Sequence, residues 1–198
     1  MKRPMIGKGV FYSMKKLSCL VVLTCFVLIW TAAWGSVQSH LKPGDLLPEF
    51  VFQAPYTEEE REYLGLVEKD FFTLKELEAE FFLIEVVGTY CPICHIQSDV
   101  INALFNKISD DELLKDKMLM FSVSSGSTEM EVNYLKNTWQ APYPMVSDLE
   151  YDFFNLIQAP GVPFTLMVSR DGLVLYSNQG RMPELSSFMA MIKDIVIR

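Results

Sequence analysis

Phe81-Phe82-Leu83-Ile84-Glu85-Val86-Val87-Gly88-Thr89-Tyr90-Cys91-Pro92-Ile93-Cys94 joins two patterns at one point. Residues 81–87 are an apolar run of strand length broken by a single acid, as expected for a strand covered on both faces. Beyond the cysteines, Ile93, Ile96, Val100 and Leu104, beside Ile101, Phe105 and Ile108, recur at three- and four-residue steps. That spacing predicts an amphipathic helix beginning at the cysteine pair. Pro92 suits the first helical turn, where its missing N–H costs nothing and its fixed φ is already helical.

The strand-helix alternation continues outward. Met118-Leu119-Met120-Phe121-Ser122-Val123 has strand character, and Thr128 with Glu131 offers a capping box for a helix expected to carry Met130, Tyr134, Leu135 and Trp139 on one face. Strand, helix, strand implies parallel pairing. Pro144-Met145-Val146 and Tyr151 to Ile157 form an extra strand-helix unit. Val162-Pro163 then leads into Phe164-Thr165-Leu166-Met167-Val168, Asp171-Gly172 reverses the chain, and Leu173-Val174-Leu175-Tyr176 returns. A last helix opens at Pro183 and repeats Leu185, Phe188, Met189, Ile192, Ile195 and Val196. Ahead of the first strand run, residues 36–49 read as an extended lead-in and Phe50-Val51-Phe52 as a short strand. Thr57 to Tyr63 reads as a charged helix or loop, and Leu74 to Glu80 as a short helical turn. The sum is an α/β fold: a mixed central sheet flanked by helices, with a strand-helix insertion and an N-terminal extension.

Of the 198 residues, 50% are hydrophobic and 21% charged, which suits one substantial core and excludes a disordered or collagen-like chain. Every charge before Ser36 is basic, so residues 36–198 hold 12 basic against 25 acidic side chains, a net −13. Sequence-independent nucleic-acid binding needs Lys and Arg to displace counterions, and this body lacks the excess, so nucleic acid is excluded as a partner. Leu17 to Gly35 carries no charge and follows a basic lead. Residues 1–35 therefore read as an export signal cleaved after Gly35. An uncleaved anchor is the alternative, since a spanning helix needs ~20 apolar residues, while the residues before Cys19 and Cys25 fit a lipid-attachment box poorly. Either way residues 36–198 form one domain on the exported side, periplasmic or otherwise extracytoplasmic, and tied to the inner membrane if the segment is retained.

Setting residues 1–35 aside reduces four cysteines to Cys91 and Cys94. A pair so close in sequence closes too short a loop to stabilise a fold, which points to chemistry. At a helix start, unpaired N–H groups and the positive end of the dipole favour an anion, so the Cys91 thiol is expected to shift toward thiolate. Cys94, one turn on, can attack a mixed disulfide formed by Cys91. Cys91 is thus the attacking and Cys94 the resolving cysteine.

Over about residues 44–198 the constellation resembles the thioredoxin superfamily. Besides Cys91-Pro92-Ile93-Cys94, the resemblance includes Glu85, six residues before Cys91 where these proteins carry a buried acid, and Gly161-Val162-Pro163, where they have a cis-proline beside the dithiol. The Gly44-Asp45-Leu46-Leu47-Pro48-Glu49-Phe50 lead and the unit around residues 143–157 are similar to exported oxidoreductases of the TlpA/ResA type. Leu83-Ile84-Glu85, Tyr90-Cys91-Pro92 and Gly161-Val162-Pro163 resemble the DsbA type instead. The large helical insertion of that type is absent, which leaves a TlpA-like architecture with the redox direction open. The resemblance implies that Glu85 carries the Cys94 proton, that Pro163 and the Val162 backbone meet an extended substrate, and that Tyr90 and Pro92 flank it. No bound cofactor is required. The partners implied are protein thiols and disulfides and a redox partner protein.

Two rival readings use the same residues. Cys91-Pro92-Ile93-Cys94-His95 also matches the attachment motif for c-type haem, with His95 as axial ligand and one of Met118, Met120, Met130 or Met145 as the second. The buried-strand run, Glu85 and Val162-Pro163 favour the dithiol, in which case His95 is expected to be an exposed residue of the first helical turn. A metal set would have to combine the cysteines with His40 and His95, but no paired histidine spacing supports it.

Overall fold

A computed structural model of the chain describes residues 40–198. The readings of residues 1–35 as signal, anchor or lipid site lie outside them, and among the described residues no helix is long and apolar enough to cross a membrane. In order, the elements are β1 (Phe52–Gln53), α1 (Glu58–Leu64), β2 (Phe71–Phe72), a 3₁₀ turn (Leu74–Glu76), β3 (Phe81–Val87), α2 (Pro92–Ser109), β4 (Met118–Ser125), α3 (Glu129–Trp139), β5 (Met145–Asp148), α4 (Asp152–Leu156), β6 (Phe164–Ser169), β7 (Val174–Gln179) and α5 (Leu185–Ile197).

The apolar run at 81–87 takes the middle of a five-stranded sheet ordered β5-β4-β3-β6-β7. β3 pairs parallel with β4 and antiparallel with β6, which sets Glu85 between Ser122 and Thr165. Successive side chains on a strand point to opposite faces. Phe82, Ile84 and Val86 accordingly pack with Phe121, Phe164 and Leu166 against Phe52, Phe72, Leu64 and Phe153. Leu83 and Val87 join Met120 and Met167 against Cys94, Ile101, Leu104, Leu135, Phe188 and Ile192. α2, α3 and α5 thus cover one face, while the β1–β2 ribbon, α1 and α4 cover the other. Glu85 lies between Leu83 and Val87 and therefore points under α2.

Several boundaries differ from the sequence reading. β1 starts at Phe52, the 57–63 segment is a helix capped by the Thr57 side chain, and the 74–80 turn shortens to Leu74–Glu76. β7 extends to Gln179, and α5 starts at Leu185 because the Glu184 carboxylate accepts the Ser187 N–H at 3.0 Å. The capping box of α3 is present, with Thr128 N donating to Glu131 Oε2 at 2.8 Å.

The face of α3 needs correction. Val132, Leu135 and Trp139 form the buried stripe, whereas Met130 is 80% and Tyr134 57% exposed. Met130 and Tyr134 lie two residues to either side of Val132, about 200° round the helix from it, so they fall on the outer side.

The N-terminal extension also closes the start of β5. Glu60, buried, accepts the Met145 N–H through Oε1 at 3.0 Å and is ion-paired with Lys136. At the other rim Gly44 and Asp45 exchange backbone hydrogen bonds with Val174.

The aromatic ring cluster around Phe52, which touches Phe50, Phe72, Phe121 and Phe153, is the joint between this extension and the sheet. Phe52→Ala is expected to cost about 3–5 kcal/mol through transfer and cavity terms, read as a lowered urea midpoint with an unchanged slope.

Candidate active site

Cys91 is the N-cap of α2, and its Sγ accepts the Cys94 N–H at 3.1 Å. The capping position ordinarily belongs to a side-chain oxygen; here a sulfur occupies it. Cys91 and Cys94 form a disulfide. Cys91 is half-buried, and Cys94 is almost fully buried beneath it. Across from the pair, the Val162–Pro163 peptide bond is cis, and the Val162 carbonyl oxygen lies 3.6 Å from Cys91 Sγ. Pro163 is buried and Val162 half-buried.

Beneath the disulfide, Glu85 is 1% exposed. Gln97 Nε2 donates to its Oε1 and Thr165 Oγ1 to its Oε2, both at 2.7 Å. Desolvation pushes the carboxyl up to about 7, opposed by the two hydrogen bonds, which favour the ionised form. Burial thus outweighs both donors and leaves the acid able to gain or lose a proton near neutrality. Gln97 is itself oriented: its Oε1 accepts the Met182 N–H at 3.2 Å, so its amide group must face Glu85.

Tyr90 and Pro92 are exposed and line a groove with Thr89, His95, Met130, Glu131 and Tyr134. The Tyr90 hydroxyl donates to Glu131 Oε1 at 2.9 Å.

His95 is not the exposed residue expected from its place in the first turn. It is half-buried, with Trp139 Nε1 donating to its Nδ1 at 2.8 Å and its Nε2 2.9 Å from the Thr89 carbonyl oxygen. An indole N–H can only donate, so Nδ1 is the acceptor and Nε2 carries the hydrogen given to Thr89. Thr89 Oγ1 is bonded in turn to Ser127 Oγ at 2.7 Å. The turn before Cys91 is therefore held at two points, through His95 to Trp139 at the end of α3 and directly to Ser127 in the loop that precedes α3.

These contacts also weigh against the haem and metal readings. Haem attachment would require each sulfur to bond to the porphyrin and a His95 nitrogen to bind iron, whereas here the sulfurs bond to each other and both ring nitrogens are engaged. His40 packs edge-on to Phe164.

Gln97, Thr165 and Thr89 do not stand out as site residues in the sequence, and Trp139 reads there only as a helix-face residue. Gln97 did leave a signal, as the polar member of a Cys94, Gln97, Ile101 stripe that is otherwise buried and apolar. The pairing of Trp139 with His95 leaves no such signal, because the indole nitrogen meets a residue 44 positions away.

A sheet of this order with a helix-capping dithiol opposite a cis-proline is the thioredoxin fold. The chain is 25% identical over 132 residues to thiol-disulfide oxidoreductase ResA of Halalkalibacterium halodurans, covering 64% of this chain and 70% of that protein. It superposes with a TM-score of 0.61 on a Chlorobium tepidum protein assigned as thiol:disulfide interchange protein DsbE, at 15% identity over 79% of this chain and 99% of that one. A secreted Mycobacterium tuberculosis disulfide oxidoreductase homologous to DsbE superposes with a TM-score of 0.54, at 7% identity over 73% of this chain and 95% of that one. No protein-family model matches the chain. The chain has the thioredoxin fold and is similar to thiol-disulfide oxidoreductases of the ResA and DsbE kind.

Because the folded chain holds the Glu85 proton above the ordinary carboxyl range, stability should fall as pH rises from 4.5 through about 7 and level off beyond. The expected loss is roughly 3 kcal/mol. Tyr143 and Tyr176, the phenols raised partly by the Glu85 charge, stay neutral in this window. Denaturant unfolding of the oxidised protein against Glu85→Gln, which should lack that slope, checks it. Gln97→Leu should push the Glu85 carboxyl higher still, measured by carboxyl-carbon NMR. His95→Leu leaves the Trp139 N–H and Thr89 carbonyl unpaired and should cost about 1–3 kcal/mol in the same unfolding assay.

Proposed function

We propose that the chain exchanges disulfides with protein substrates outside the cytoplasm through its Cys91-Pro92-Ile93-Cys94 motif. The observation that carries this reading is the disulfide itself: its outer sulfur caps a long helix and faces the Val162 carbonyl, while its inner sulfur sits on the sheet face that holds Glu85.

In the reducing direction the Cys91 thiolate, stabilised by the first-turn N–H groups, attacks one sulfur of a substrate disulfide. A Cys91–substrate disulfide forms, and the other substrate sulfur leaves as a thiolate. Cys94 then gives its proton to the Glu85 carboxylate and attacks Cys91 Sγ, releasing the second substrate sulfur. That thiolate and the first take up the proton from Glu85 and one from solvent. A dithiol and a disulfide have become a disulfide and two thiols, and the oxidising direction runs through the same steps backwards. The Val162 backbone, whose carbonyl oxygen faces Cys91 Sγ, supplies a donor and an acceptor for an extended substrate segment. No cofactor enters these steps; a redox partner protein restores the starting state.

The exported location is supported by the apolar segment behind a basic lead at residues 17–35 and by the secreted relative. The same segment would serve as an anchor if it were retained.

Reduction of insulin by the reduced chain is the test. Cys91→Ala is expected to abolish turnover, whereas Cys94→Ala should accumulate mixed disulfides, visible by mass spectrometry and reversed by dithiothreitol. Equal turnover in the two variants would defeat the assigned roles.

A further inference from the structure

The groove beside Cys91 is not needed for the exchange chemistry, yet it carries large side chains held in the open. Tyr90 is 85%, Met130 80% and Tyr134 57% exposed, and with Pro92 they wall a groove of about 710 Å³. Solvated apolar groups gathered at one place mark a contact surface. The Tyr90 ring is fixed by its hydroxyl bond to Glu131, which also caps α3 through Thr128. In residues 88–97 and 126–135, which form the two sides of the groove, the formal charges besides His95 are Glu129 and Glu131. Glu131 is held below the usual carboxylate range by its bonds from Thr128 and Tyr90, so it remains an anion. No lysine or arginine in those segments neutralises it.

We infer that this groove selects protein partners that carry a bulky aliphatic side chain and a lysine or arginine within a few residues of the reacting cysteine. The inference rests on the dithiol reading above and assigns the substrate class of that site. Continuity supports it, because Tyr90 adjoins Cys91 and a chain whose sulfur reaches Cys91 passes directly into the groove. Charge complementarity supports it as well. A cation in a groove lined by two tyrosines and a carboxylate gains from both, and the net −13 of residues 36–198 draws it in. The aliphatic side chain covers Pro92, Met130 and the Tyr134 ring.

The experiment uses the reduced full chain and three synthetic peptides, each carrying one cysteine as its mixed disulfide with 2-mercaptoethanol. One has leucine and lysine on both sides of the cysteine, one serine and lysine, and one leucine and glutamate. Each rate is divided by the rate on uncharged bis(2-hydroxyethyl) disulfide measured with the same protein. The leucine-lysine peptide should react about tenfold faster than the serine version and about threefold faster than the glutamate version, with the second ratio falling at high salt. Met130→Ser combined with Tyr134→Ser should bring the first ratio toward one. Glu131→Gln should do so for the second while keeping an oxygen for the Thr128 cap.

Ratios near one in the unmodified chain, or ratios unmoved by these substitutions, would overturn the inference while leaving the exchange reading intact. No reaction with bis(2-hydroxyethyl) disulfide would remove both. Concentration-dependent dimers dispersed by Met130→Ser in sedimentation would assign the groove to a second copy of the chain instead.

Discussion

A carboxyl inside a fully covered strand is the constraint around which this molecule is arranged. Burying a charge there without partners would cost several kcal/mol, which is why such groups either neutralise or acquire donors. Glu85 does some of each. Its two hydrogen bonds come from α2 and β6, the elements that also bring Cys94 and the Val162–Pro163 turn to the site. The environment that makes the acid tolerable therefore also sets the spacing between the sulfurs and the loop facing them.

The second organising feature is a sulfur in a capping position. Capping usually consumes the side chain that performs it. At Cys91 the group satisfying the helix start is also the one assigned to attack, so the N–H bond that stabilises α2 in the disulfide is available to an anion once the disulfide opens. His95 and Thr89 keep the turn leading into that cap fixed from the α3 side, and the cysteine pair consequently rests on three separate elements.

Much of this could be read before any coordinates. The 81–87 run indicated a central strand because it is apolar at both parities, and Pro92 marked where the helix begins. Glu85 and Val162-Pro163 were found through the family resemblance rather than through periodicity. Other features depend on contacts remote in sequence. Met130 and Tyr134 read as sharing a face with Leu135 and Trp139 because hydrophobic residues at helical spacing ordinarily face inward, yet the stripe of Val132, Leu135 and Trp139 fills that side. His95 looked like a surface residue because the indole that binds it arrives from the far end of α3.

The Met182 amide completes the environment of the buried acid from outside the dithiol elements, since it holds Gln97, which holds Glu85. A nascent polypeptide that has emerged only as far as β7 already possesses both cysteines, the strand and the cap, but lacks this final anchor. Completion of the Glu85 environment is thereby coupled to arrival of the C-terminal segment, and a chain lacking it would keep the cysteines and the acid without the bond that orients Gln97.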